Sequence, residues 1–436
     1  MVHKHYVILA LYHLNLVVYT NTNMARKTIG YLWQTFLVAI VGVFFGSLAG
    51  LTTLAFIRVF EWIQQGLWTS LPQYFGVSPE QSIYPIIVCA IGGVLVGLAS
   101  KYLGNYPRNL QVELAGFAKT KEFDYRHIPQ TFVNSLLSLG FGAALGPEAA
   151  LTTIVGGLST WISKRLKFVA NNDTLRTLSI SGTFGALFGS PLGSSAISSE
   201  VKHSSFATKL QLYLGGLVAA TIAFWIFSLS SATGGYFNLD TLPYTFNMAD
   251  VLKALLPALV GFGAGLVFLR LGSRMNQAFK QITSKRPVIA GLIGGLLLGS
   301  LAALWPLILF SGHEGIQSLM TTYALTAGGT LVIIGLVKSL ATTSLLATGW
   351  KGGQFFPVMF IGAAVGLGIS QFIPSIPPMV GIVAGMTAML GCVINRPIAA
   401  GVLVLFFFPP SLYPSVLMSM LLANLLLRLR RSQITS

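Results

Sequence analysis

Charge is absent from long stretches of this sequence. Windows without Asp, Glu, Lys or Arg cover residues 28–57, 81–100, 177–199, 210–239, 287–313, 315–337, 352–395 and 397–427. A membrane-crossing helix needs about 20 mostly apolar residues. Several windows are much longer than that, so the chain must turn within or near the bilayer. Others, such as 149–163, are shorter than one span. Forty-seven glycines and 19 prolines break the windows into pieces. Backbone breaks at membrane depth are tolerated only where protein or a water-filled cavity satisfies the freed groups. The pattern predicts an all-α integral membrane protein, a bundle of many short, tilted and interrupted helices. Transporters and channels build such bundles around a central site. The apolar runs are continuous rather than alternating, which argues against a β-barrel.

Composition narrows the function. Hydrophobic residues make up 54% of the chain and charged ones only 9%, against roughly 25% charged in soluble domains. A soluble enzyme, a disordered chain and a secreted disulfide scaffold are all excluded. Cys89 and Cys392 lie far apart in apolar runs and read as small buried hydrophobes. No Ser/His/Asp set, metal cluster or phosphate loop stands out, so an enzyme is not expected, nor a cofactor or a metal. His313-Glu314 reads as a helix-end loop, since one His beside one Glu is not a metal site.

The net charge is +16. Two readings compete: cations flanking the spans at the lipid headgroups, or a field that favours anions in vestibules. The basic residues are scattered, so nucleic acid is not an expected partner. The cluster at Arg428, Arg430 and Arg431 is a positive-inside signal and places that end in the cytoplasm. A plasma (inner) membrane is expected if the source is bacterial. Residues 1–29 read as an N-terminal extension, with Met24-Ala25-Arg26-Lys27 resembling a natural start; a signal peptide or an extra helix are the other readings.

A pattern occurs twice. Gly146-Pro147-Glu148 opens an apolar helix, and so does Gly353-Gln354-Phe355-Phe356-Pro357. Each is followed by a second proline-marked start, at Pro191 and at Pro397. Two related membrane repeats are therefore expected, 30–240 and 241–436, with a short basic tail on the second. A helix N-terminus presents free N–H groups and a partial charge of about +0.5. Several such ends meeting at mid-membrane would bind a small anion without a full charge, weakly enough to release it.

These segments resemble the CLC family of chloride channels and chloride/proton exchangers. The resemblance spans about residues 30–430. It is carried by Ala186 through Gly193 and Glu200, by Gly353 through Pro357, by Ala384 through Leu405, and weakly by Gly104-Asn105-Tyr106-Pro107. The resemblance implies a homodimer with one anion pathway per subunit and an inverted repeat within each. It also implies an anion cradle from the backbone of Gln354 and Phe355, the loop at Gly104 and Asn105, and the helix start at Leu145, Gly146 and Glu148.

The sequence departs from that family where chemistry matters. Aligning Gly146-Pro147 with the family's Gly-Pro puts Leu145 where the gating glutamate belongs. Glu148 stands three residues later, about one turn on. It reads either as the displaced gate or as a first-turn acid complementing the helix dipole. The exchangers' inner glutamate aligns with Val201, and the neighbouring Glu200 reads as structural. Asn105 replaces a loop serine, as an amide donor to the anion or a plain turn residue. Lys351 either raises anion concentration in a vestibule or snorkels to the interface. Glu113 and Arg108 read as a pair. Tyr413 reads as an interfacial anchor, not the family's central tyrosine, whose helix would begin where the chain ends.

Passive conduction of chloride or a similar small anion is the expected function. The alternatives are a coupled chloride/proton antiporter using Glu148 and Glu200, and a non-transporting membrane scaffold.

Overall fold

The computed structural model describes residues 2–78, 83–108, 112–113, 116, 120, 122–165, 172–188, 206–229, 241–405 and 407–435. Among them the longer elements are all helices: α1 (Val2–Gln65), α2 (Tyr84–Leu103), α3 (Ile128–Gly140), α4 (Glu148–Arg165), α5 (Asn172–Phe188), α6 (Phe206–Ser228), α7 (Leu255–Lys285), α8 (Pro287–Leu304), α9 (His313–Thr322), α10 (Gly328–Ala347), α11 (Phe355–Phe372), α12 (Pro378–Ile394), α13 (Pro397–Leu405) and α14 (Tyr413–Thr435). Eight helical stretches among the described residues are long and apolar enough to cross a membrane. The protein is an integral, multi-pass membrane protein.

Proline and glycine divide the apolar windows as expected. The 352–395 window becomes α11 and α12, parted by a turn around Pro374 and Pro377. Helices α2, α3, α8 and α12 carry proline at the first or second position, where its missing N–H costs nothing. Helix α12 ends on Asn395 in the left-handed conformation, with its N–H returning to the Cys392 carbonyl.

Small residues form the seams. Gly93 and Gly97 of α2 press against Gly291 and Val288 of α8. Gly362 and Gly366 of α11 meet Gly385 and Gly381 of α12. Gly42, Gly46 and Gly50 of α1 face Gly215, Ala219 and Ala223 of α6. A Cβ on Gly42, Gly46, Gly93, Gly97, Gly362 or Gly366 would strike the partner backbone. Lipid tails are as apolar as leucine, so close backbone approach replaces the hydrophobic drive between such helices. Large apolar side chains such as Trp62, Trp225 and Leu421 point outward instead.

Helix α12 is the interior element, with every residue from Met379 to Val393 buried. Helix α11 lies against it and is nearly as enclosed. The start of α11 therefore sits deep in the bundle. His313 and Glu314, expected in a loop, are the first residues of α9, capped by Gly312 at φ +87°. The His313 ring meets Phe356 edge-on at 5.5 Å. Among the described residues no cluster of potential metal ligands forms.

Candidate functional site

Two loops meet where α4 and α11 begin. Residues 141–147 lead into α4 and residues 348–354 into α11. Gly142 and Gly349 turn these loops at φ +89° and +94°, values that favour glycine. The loops are joined by an isolated antiparallel bridge between Gly146 and Gly353. The Gly146 N–H donates to the Gly353 carbonyl at 2.8 Å, and the Gly353 N–H returns to Gly146 at 2.6 Å. Thr342 of α10 donates to the Ala144 carbonyl at 2.9 Å. The Lys351 N–H donates to Ser138 Oγ of α3 at 3.0 Å. These contacts hold two helix starts side by side although they lie far apart in sequence.

Glu148 is seated between them. It is completely buried. Its Oε1 accepts the Phe355 N–H, the first of α11, at 2.6 Å. The N–H groups of Glu148 itself and of Phe356 also face the carboxyl. Its Oε2 has no hydrogen-bond partner among the described residues. The carboxyl folds back against Gly146 and Gly353, and a Cβ at either glycine would run into it. A carboxyl thus occupies the N–H groups at a helix N-terminus, the place a small anion would take.

A cavity of about 370 Å³ opens in front of the α11 start. Gln354, Gly352 and Lys351 line one side, and Pro107 and Arg108 line another. The loop at Gly104 and Asn105 is fixed from behind by Asn134 of α3. This buried amide donates to the Gly104 carbonyl at 2.9 Å and to the Tyr106 carbonyl at 2.7 Å. Tyr106 stacks on His127 at 3.9 Å. The His127 Nδ1 in turn lies 2.8 Å from Asp124. Burial pushes the Asp124 carboxyl up, but hydrogen bonds from His127 and the Arg126 N–H outweigh it and hold the group below its usual range. Beside the cavity, Lys351 Nζ donates to Asn105 Oδ1 at 2.7 Å.

A second ionisable group lies inside the bundle. Lys338 of α10 is completely buried. Its Nζ lies within hydrogen-bond distance of four carbonyls, those of Leu307, Ile308, Leu309 and Phe310, at 3.3, 2.8, 3.0 and 2.8 Å, which share its three donors. The Phe310 N–H donates to the Gly142 carbonyl at 3.1 Å. Lys338 therefore braces the loop that leads to Glu148 from behind.

The structure brings Gly146, Glu148, Gln354 and Phe355 together. Leu145 contributes only backbone, because its side chain is packed into the apolar core and touches the space beside Gly352. Gly104 stands in the neighbouring loop at φ +86°, and Asn105 reaches across to Lys351 rather than to Glu148. Glu113 and Arg108 are neighbours; burial raises the Glu113 carboxyl and Arg108 partly offsets this. Tyr413 opens α14. Glu200, Val201 and the start at Pro191 lie outside the described residues. Asn134, Thr342 and Lys338 were not singled out from sequence. A lone lysine just past the 315–337 window was the available signal for the last of them.

The profile described as voltage gated chloride channel matches residues 110–428. Among curated relatives, an ion-transport protein named YfeO from Escherichia coli O139:H28 is 27% identical over 368 residues, covering 82% of this chain and 84% of that protein. The YfeO protein of Shigella flexneri matches over the same length at the same identity. Among solved structures, a slow cyanobacterial Cl⁻/H⁺ antiporter superposes with a TM-score of 0.75 at 19% identity, covering 89% of this chain and 95% of that one. A CLC-type fluoride/proton antiporter gives 0.69 at 18% identity, with 88% and 94% covered.

Proposed function

Since the chain belongs to the voltage-gated chloride channel family, a family of anion transporters, we propose that it conducts chloride passively, along one pathway in each subunit of a homodimer, with Glu148 as the gate. The observation that carries this reading is the Glu148 carboxyl on the Phe355 N–H. In this reading residues 30–240 and 241–436 each supply one helix start. The two partial charges, each about +0.5, would hold chloride weakly enough for it to leave. Gly146 and Gly353 leave room for the ion against the backbone, room that the carboxyl fills when it is down.

The gate works by substitution. An ionised Glu148 satisfies the helix ends and blocks the ion. Protonation removes its charge and weakens its hold on the Phe355 N–H, so the side chain yields the seat to chloride. Acidification should therefore open the pathway. A coupled exchange of chloride and protons is the second reading, favoured by the same competition of carboxyl and anion for one seat. The two antiporter structures that share this fold give it a place in the test.

Purified protein in chloride-loaded liposomes decides between them. Chloride efflux and internal pH would be recorded together under an outward chloride gradient, with and without a potassium ionophore. Efflux that needs the ionophore and moves no protons supports passive conduction. Proton uptake tied to chloride efflux replaces it with exchange. No flux of chloride or of other halides overturns both in favour of a scaffold.

A further inference from the structure

The cavity before the gate contains a charge that the gate does not use. Of the residues lining it, Lys351 and Arg108 are cationic and none is acidic. The charge of Arg108 acts on the nearby Glu113 carboxyl. The ammonium of Lys351 is bound instead to a neutral oxygen, Asn105 Oδ1, at 2.7 Å. That contact bridges positions 246 apart. It orients the ammonium at the cavity wall without neutralising it, and leaves donors available to a second ligand. Lys351 is also anchored at its backbone, through the Ser138 hydroxyl. Two residues further along the chain stands Gly353, against which the Glu148 carboxyl rests. An anion in this cavity would meet the Lys351 amino group beside the helix start.

We propose that Lys351, steered by Asn105, is a charged threshold that captures small inorganic anions in the cavity and sets which of them reach the gate. The proposal rests on the transport reading and deepens it. A charge at the threshold and only dipoles at the gate suit rapid passage, since capture is strong where the ion still has room and release is easy where it does not. An ammonium is a compact, strongly hydrated point charge. It favours compact anions over large, weakly hydrated ones. Chloride is the favoured class over thiocyanate. Asn105 sets how much of the ammonium is available, because each hydrogen bond it takes is one the anion cannot have.

The test compares Lys351→Met, Lys351→Gln, Lys351→Arg and Asn105→Asp in liposomes, with chloride and thiocyanate as the probes. Lys351→Met and Lys351→Gln should raise the half-saturating chloride concentration about tenfold, the factor that about 1.4 kcal/mol represents. They should also shift preference towards thiocyanate. Lys351→Arg should keep most of the affinity, and Asn105→Asp should lose it by pinning the ammonium in an ion pair. If the neutral variants lose only melting temperature or maximal rate, with affinity and anion preference unmoved, the role is structural and the proposal falls. Chloride titration calorimetry on the purified full-length protein keeps this separate from the transport reading. Should the wild type move no anion, weaker chloride binding by Lys351→Met than by wild type still upholds the threshold. Equal binding by the two, or none by either, overturns it.

Discussion

Lys338 and Glu148 each carry an ionisable group to a place that water does not reach. Lys338 is surrounded by four carbonyls, all supplied by one short loop. Glu148 has one close hydrogen bond on Oε1 and leaves Oε2 without a partner among the described residues. The partners of Lys338 belong to a backbone that cannot serve anything else. The partner of Glu148 is a helix end that a free anion could use equally well. A buried charge that is fully coordinated fixes a structure, whereas one that is half coordinated, on a seat another ion can fill, is suited to move.

Removing the charges in turn should separate these roles. Lys338→Met leaves the four carbonyls without their donor, at a cost of about 1–3 kcal/mol for each buried one, read as a large drop in melting temperature or as failure to recover folded protein. Lys338→Arg, which keeps the charge, should lose less. If Lys338→Met unfolds no more easily than wild type, the contrast collapses. Glu148→Gln should leave folding nearly intact and raise chloride flux at neutral pH about tenfold, the factor given by about 1.4 kcal/mol. Its flux should no longer rise on acidification. Unchanged flux with an unchanged pH profile would show that the carboxyl is only a helix cap.

Gly353→Ala sharpens the comparison without removing either ionisable group. Its new Cβ would strike the seated carboxyl, at a stability cost of about 1–3 kcal/mol. Flux should become pH-insensitive, as with Glu148→Gln, and a wild-type pH profile would contradict the seating. The smallest effect concerns Asp124. Its carboxyl is held below the usual range, so its contribution to stability is complete above the unfolded value of about 3.9. That contribution disappears as pH falls through the lower folded value. Melting temperature should decline on acidification below about pH 4, and Asp124→Asn should remove that part of the decline.

Much of this was legible in the sequence because it is local. Charge-free windows and proline positions mark the helices, and Gly146-Pro147 and Gly353 through Pro357 mark the two helix starts. An acid amid apolar residues draws attention to Glu148 by the cost of burying it. The seat of that acid was not legible, since Phe355 lies 207 residues away. The pairing of Asn105 with Lys351 spans a greater distance still. Leu145 takes the family's glutamate position in the alignment, yet its side chain serves the core. Asn134 looks like an ordinary polar residue in α3, and only the folded chain shows which carbonyls it holds.

The bridge between Gly146 and Gly353 also bears on how the protein is made. Its two sides are translated far apart in time, and closing so long a loop must wait for the later segment. While the first helix start is in the membrane alone, the bridge and the Phe355 N–H do not yet exist. The seat of the Glu148 carboxyl, and with it the proposed anion site, is thus complete only when the second half has been inserted. On the proposed reading, a partly synthesised chain would have no finished anion site.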